Sequence, residues 1–131
     1  MRTPEPQAHL VVVDDDPHVL GALRFAFETE GYDVRTCRSG EELLASPPRD
    51  GDTCLIVDER LPGICGLETI ARLRALGVDA PAILVTSHPP LQVRRRAAAA
   101  KVEIVEKPLL DATLGQRVRV ALASRRGRAG A

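Results

Sequence analysis

A chain of 131 residues, 44% hydrophobic and 27% charged, with eighteen basic and eighteen acidic side chains, has the make-up of one ordinary soluble domain. At roughly 100–200 residues per domain, the length accommodates one core but not an attached enzyme or DNA-binding domain. Balanced charge and only three aromatic residues, Phe25, Phe27 and Tyr32, argue against a nucleic-acid footprint, which calls for a clustered basic excess and stacking platforms.

No apolar run approaches the roughly 20 residues needed to span a bilayer, and residues 1–8 contain two prolines and no hydrophobic signal core, so a cytoplasmic protein without membrane contact is expected. Cys37, Cys54 and Cys65 form an odd set without metal-ligand spacing and read as reduced, packing thiols. Arginine outnumbers lysine sixteen to two, which fits a GC-rich genome better than a binding property.

Residues 10–13 form an unbroken apolar, β-branched run, the pattern of a strand buried on both faces of a parallel sheet. Asp14, Asp15 and Asp16 close it, Pro17 suits a first helical turn, and Val19, Leu20, Leu23, Ala26 and Phe27 recur at helical spacing until Gly31 supplies a stop. A second strand is predicted over 33–37. Ser39 with Glu42 three residues later then reads as a capping box opening a short helix that ends near Pro47, before a turn over 46–52.

Residues 54–57 form another apolar strand, closed by Asp58 and followed by the loop Leu61-Pro62-Gly63 and a helix over about 66–76. Residues 82–85 are a further buried run ending in Thr86 and Ser87. Pro89-Pro90 restarts the chain into an arginine- and alanine-rich helix over 91–100. A last strand is expected over 102–105. Leu110, Leu114, Val118, Ala121 and Leu122 share one face of a closing helix that frays at Ser124-Arg125-Arg126-Gly127. The expected layout is a flexible tail over 1–8, one folded domain over 9–124 and a flexible tail over 125–131.

Five strands alternating with five helices imply an α/β fold, a doubly wound parallel sheet covered on both faces. In the five-stranded order 2-1-3-4-5 the switch point falls between strands one and three, whose ends carry Asp14, Asp15 and Asp58. Converging carboxylates repel one another and stay ionised only beside a cation. Oxygen-only ligands favour Mg²⁺, which retains several waters, and no neighbouring Cys/His set suits zinc. Thr86 and Lys107 end the fourth and fifth strands and face the same crevice. An ionised carboxylate acceptor, a divalent ion, an ammonium and a hydroxyl are what phosphoryl transfer to aspartate requires.

The run Val11-Val12-Val13-Asp14-Asp15-Asp16-Pro17, the segment Ile56-Val57-Asp58-Glu59-Arg60-Leu61-Pro62-Gly63, the pair Thr86-Ser87 and the dipeptide Lys107-Pro108 together resemble the receiver domain of two-component response regulators, over about residues 8–124. The resemblance implies the flavodoxin-like (βα)5 fold. It implies Asp58 as the phosphoacceptor, Asp15 as a direct Mg²⁺ ligand, Asp14 as an acidic partner acting largely through water, and the backbone carbonyl of Arg60 as a further metal ligand. It further implies that Thr86 hydrogen-bonds the acyl phosphate, that Lys107 pairs with a phosphoryl oxygen, that Asp16 is a variable position, and that Lys107-Pro108 is a cis peptide. A histidine kinase or phosphotransfer protein would supply the phosphate, and a protein target, with a homodimer as one option, would read it. Such a domain catalyses only its own modification and dephosphorylation.

Departures from the family pattern bear on output. Receivers usually carry Tyr or Phe three residues before the lysine, where this chain has Ile104; Ala100-Lys101 replaces the common Gly-Ala; and Cys65 stands where Asp is frequent. Arg94, Arg95, Arg96, Lys101, Glu103, Asp111, Arg117 and Arg119 either decorate a docking face or form a solvated charged surface. The rival readings are a receiver-like interaction module that works without phosphorylation, favoured by Ile104, and an aspartate-nucleophile phosphohydrolase, which would want Asp where Arg60 stands. A flavin-binding domain of the same topology is disfavoured by three negative charges in its first loop.

Overall fold

The computed structural model describes residues 8–48, 51–107 and 113–129. The strands are β1 (His9–Val13), β2 (Asp33–Cys37), β3 (Thr53–Asp58), β4 (Ala82–Thr86) and β5 (Glu103–Glu106). They alternate with α1 (Pro17–Thr29), α2 (Gly40–Ala45), α3 (Gly66–Ala75), α4 (Leu91–Ala99) and α5 (Thr113–Ala129). All pairings are parallel and the sheet order is β2-β1-β3-β4-β5, as the receiver resemblance implies.

The unbroken apolar runs are explained by the two cores they serve. Leu10, Val12, Cys54, Ile56, Ile83 and Val85 pack on one face with Leu20 and Phe27 of α1 and Leu114, Val118 and Leu122 of α5. Their strand neighbours Val11, Val13, Leu55, Val57 and Leu84 pack on the other face with Leu43 of α2, Leu67, Ile70 and Leu73 of α3 and Ala97 of α4. Because successive strand residues point to opposite faces, a strand covered on both sides must be apolar at every position.

Helix ends follow local chemistry. Asp16 caps α1, its carboxylate accepting the His18 N–H at 2.9 Å, and Pro17 opens the helix. At the other end Gly31, with φ of +97°, lets its own N–H reach the Glu28 carbonyl and the Tyr32 N–H reach the Phe27 carbonyl. Ser39 accepts the Glu42 N–H at 3.0 Å as expected of a capping box, but the Glu42 carboxylate reaches one residue further back and accepts the Arg38 N–H at 2.6 Å.

Two boundaries differ from the sequence expectation. Ala8, assigned to the flexible tail, is buried, and its carbonyl accepts the Asp33 N–H at 3.0 Å, so the core begins one residue earlier. Helix α5 continues past Ser124 to Ala129 where fraying is expected, since no proline interrupts this arginine- and alanine-rich segment and both residue types favour the helix. Leu110, Asp111 and Pro108, and with the last the expected cis peptide, lie outside the described residues.

One glycine fixes how closely a helix approaches the sheet. A Cβ on Gly66 would lie 2.5 Å from the Asp58 carbonyl oxygen and 2.8 Å from Leu84 Cδ1, so α3 starts closer to the end of β3 than any side chain permits. Gly66→Ala is therefore expected to cost roughly 1–3 kcal/mol in urea unfolding, the usual penalty for an overpacked site. An unchanged midpoint would show that the start of α3 can retreat freely.

Candidate functional site

The carboxyl ends of β1 and β3 lie side by side, with Val13 paired to Val57, so the residues that follow each strand emerge into one crevice. Their backbones are fixed by the sheet. The Asp14 N–H donates to the Cys37 carbonyl at 3.1 Å, the Glu59 N–H to the Val85 carbonyl at 3.0 Å and the Lys107 N–H to the Thr86 carbonyl at 2.9 Å. Extending strand pairing one residue beyond the strands in this way aims the side chains at positions 14, 58, 86 and 107 along the same rim.

Asp14, Asp15 and Asp58 each bring a carboxylate oxygen within 4.8 Å of the others; Asp14 and Asp58 are buried and Asp15 is exposed. Lys107 Nζ lies 3.4 Å from Asp58 Oδ2, and the Arg60 N–H donates to Asp58 Oδ1 at 3.2 Å. Thr86 is buried at the end of β4. Every residue singled out for the site thus sits at the same end of the sheet, and three of the carboxylates implied to act together are in contact range.

The acidic triplet divides its labour. Asp14 accepts the Asp16 N–H at 2.9 Å in a tight local turn, while Asp16 itself turns away to cap α1. Burial pushes the Asp14 carboxyl above its ordinary value; the Asp16 amide opposes this, the Asp58 and Asp15 charges add to it, and Lys107 relieves it. The cluster carries more negative charge than its one ammonium compensates, and all of its donors are oxygens. That is the donor chemistry a hard divalent cation such as Mg²⁺ fits, and it does not suit zinc.

An open groove of about 530 Å³ is lined by Thr86, by Glu59, Arg60, Leu61 and Cys65 of the loop after Asp58, and by Pro90 and Val93. At the far end of the sheet a groove of about 460 Å³ contains the exposed His9–Asp33 pair and Arg35, and no carboxylate cluster. Sequence reasoning missed Glu59 and Glu41. The Glu59 carboxylate accepts the Leu67 N–H at 2.9 Å and the Glu41 carboxylate accepts the Ile64 N–H at 3.3 Å, so both brace the loop after Asp58. The available signal was negative: Cys65 occupies the cap position of α3 without a capping side chain.

A family model described as the response regulator receiver domain matches residues 10–119. The chain belongs to this receiver family. It is 37% identical over 114 residues to the transcriptional regulatory protein FixJ of Azorhizobium caulinodans, covering 85% of this chain and 53% of FixJ. It is 34% identical over 124 residues to the C4-dicarboxylate transport transcriptional regulatory protein DctD of Pseudomonas aeruginosa, covering 93% of this chain and 27% of DctD. The receiver therefore spans about a quarter to a half of the length of these relatives.

Among solved structures, a CheY-like receiver domain protein from Methanospirillum hungatei superposes with a TM-score of 0.85 at 23% identity, over 92% of this chain and 98% of that one, which supports the fold. The response regulator TrrA from Thermotoga maritima, solved in complex with Mg²⁺-BeF, superposes with a TM-score of 0.76 at 31% identity, over 88% of this chain and 99% of TrrA. Receivers act in two-component signalling and are in general not enzymes acting on other substrates, which sets aside the phosphohydrolase and flavin readings.

The remaining expectations concern bulk features. The free Cys37 and Cys54 are buried in the two cores, and burial pushes the Cys54 thiol up to about 12 and raises Cys37 as well. Among the described residues no helix is long and apolar enough to cross a membrane. On the charged surface Arg94 pairs with Glu106, Arg117 with Glu103 at 3.2 Å and Arg119 with Glu30 at 3.6 Å. All are half-exposed pairs of the kind that contribute little to stability.

Proposed function

We propose that this receiver is phosphorylated on Asp58 in a Mg²⁺-dependent reaction and signals through protein contacts. The observation that carries this is the meeting of Asp14, Asp15 and Asp58 within 4.8 Å, with Lys107 Nζ 3.4 Å from the Asp58 carboxylate. A carboxylate oxygen of Asp58 attacks phosphorus; the bond between phosphorus and the donor's leaving group breaks, and the leaving group departs with the electron pair. A carboxylate nucleophile needs no general base for this attack. Bound Mg²⁺ would supply charge neutralisation on the phosphoryl oxygens. Asp14, Asp15, Asp58 and the Arg60 carbonyl would hold it.

Lys107 then exchanges its Asp58 partner for a phosphoryl oxygen, and the Thr86 hydroxyl donates to another. That pair of contacts differs between the free and phosphorylated protein, and only such a difference can shift the conformation. Ile104 sits across from Leu84 in the sheet and packs into the core under α4, so it offers neither ring nor hydroxyl to report the change. Output then runs through Thr86, Ser87 and α4. The donor is a phosphorylated histidine on a kinase or phosphotransfer protein, the site of action is cytoplasmic, and a homodimer is one form the partner contact takes. Slow loss of the phosphoryl group to water is catalysed by the same residues.

Incubation with Mg²⁺ and a small acyl phosphate should add one phosphoryl group by intact mass, and a chelator should prevent it. The same reading separates two neighbouring aspartates. Asp15→Ala is expected to weaken Mg²⁺ binding at least tenfold with little change in stability, whereas Asp16→Ala should cost about 1 kcal/mol through the lost α1 cap and leave Mg²⁺ binding within about twofold. Calorimetric titration and urea unfolding read the two effects independently. Equal losses of Mg²⁺ affinity would contradict the assignment of Asp16 to the cap.

A further inference from the structure

The eight residues from Glu59 to Gly66 form a closed loop, and Glu59 holds both of its ends. Its N–H donates to Val85 of β4 at 3.0 Å, its carbonyl accepts the Gly66 N–H at 3.1 Å and its carboxylate accepts the Leu67 N–H at 2.9 Å. The last bond supplies the cap that Cys65 does not, and it places a negative charge at the positive end of α3. Between these anchors lies Arg60, whose N–H already donates to Asp58 Oδ1 at 3.2 Å. On the outer side of the loop Gly63, with φ of +79°, passes against Glu41, which accepts the Ile64 N–H at 3.3 Å.

We propose that Glu59 is a positioning residue for the cation site: by closing the 59–66 loop onto the start of α3 it fixes the peptide at Arg60, whose N–H already binds Asp58 and whose carbonyl the Mg²⁺ reading assigns to the cation. The inference rests on the Mg²⁺ reading above and adds to it a residue that does not touch the cation. The physical reason is pre-organisation. A carbonyl donated by a loop must be held in one orientation before binding, because the cost of ordering it otherwise comes out of the affinity, and supporting hydrogen bonds of this kind commonly change metal affinity 10–100-fold. A glutamine at 59 keeps an acceptor oxygen in the same reach, whereas methionine keeps the stem and alanine keeps neither.

The test uses the whole chain and two readouts besides phosphorylation. Isothermal titration with MgCl₂ should show Glu59→Ala and Glu59→Met binding about tenfold more weakly than the wild type, and Glu59→Gln within about threefold. Hydrogen exchange of the Leu67 amide in the metal-free protein should be faster in the Ala and Met variants and restored in the Gln variant. At saturating Mg²⁺ the phosphorylation rate should return close to the wild-type value in all three. Wild-type affinity in the Ala and Met variants would overturn the inference, as would equal weakening in Gln and Ala, which marks a charge effect. So would an unprotected Leu67 amide in the wild type. Failure of the wild type itself to bind Mg²⁺ would overturn the cation reading and this inference with it; normal binding in the wild type with any of the other adverse results would overturn the inference alone.

Discussion

Asp58→Asn is expected to remain folded and to take up no phosphoryl group from a small acyl phosphate under conditions that modify the wild type fully. The amide has the shape of the carboxylate and can still accept the Arg60 N–H, but its oxygen is a poor nucleophile and its nitrogen faces Lys107, so the reaction loses its acceptor while the surrounding contacts lose little. The stability of this variant should change by about 1 kcal/mol or less. Removing Asp58 eliminates one of three mutually repelling carboxylates, which offsets the lost ion pair with a lysine that is itself one-third exposed. Intact mass and a thermal melt test both halves. Persistent labelling of the variant at the wild-type level would contradict the acceptor assignment.

Asp14→Asn should do two opposite things. Burial raises the Asp14 carboxyl above its ordinary value of 3.8, so the folded protein binds a proton there more tightly than the unfolded chain does. Stability from this group is accordingly complete below pH 3.8 and is lost as the pH rises through the raised folded value, which leaves the metal-free protein carrying an unfavourable charge at neutral pH. Asparagine removes that charge and keeps an oxygen for the Asp16 N–H. Without divalent ions at pH 7 the variant should melt higher than the wild type. The difference should narrow as the pH falls toward 3.8. Mg²⁺ should raise the wild-type melting temperature and barely move the variant's, since affinity falls roughly 10–100-fold. A variant less stable than the metal-free wild type at pH 7 would show that the Asp14 charge is already compensated.

Much of this architecture is legible in the sequence because a parallel sheet covered on both faces demands apolar residues at every strand position. The run from Leu10 to Val13 feeds two cores, so its lack of alternation is itself the signal. The site is legible for a related reason: polar residues that break such runs at their carboxyl ends, Asp14, Asp58 and Thr86, must emerge at one rim of the sheet. The structure divides the triplet at 14–16 between two environments. Asp16 caps, and Asp14 and Asp15 face Asp58.

What stayed hidden depends on side chains closing onto distant backbone. Seven residues, all but Gly66 in an irregular loop, separate Glu59 from Leu67, so no regular element couples the carboxylate of one to the amide of the other. Glu42 bonding Arg38 and not Ser39, and Glu41 reaching the Ile64 amide, are the same kind of contact: each depends on where a neighbouring turn happens to lie. The end of α5 differs from the sequence expectation because composition alone does not distinguish a last helical turn from a tail.

The chemistry of the acyl phosphate offers the most direct test of the whole account. Borohydride reduces an aspartyl phosphate, but not a free carboxylate, and converts the acceptor into homoserine, which peptide mass mapping locates to a single residue. After incubation with a small acyl phosphate and Mg²⁺, homoserine is expected at position 58 alone, and at no position when a chelator replaces the Mg²⁺. Homoserine at Asp14 or Asp15, its appearance at position 58 without a divalent ion, or its absence throughout would contradict the assignment of Asp58 as the phosphoacceptor of a Mg²⁺-dependent site.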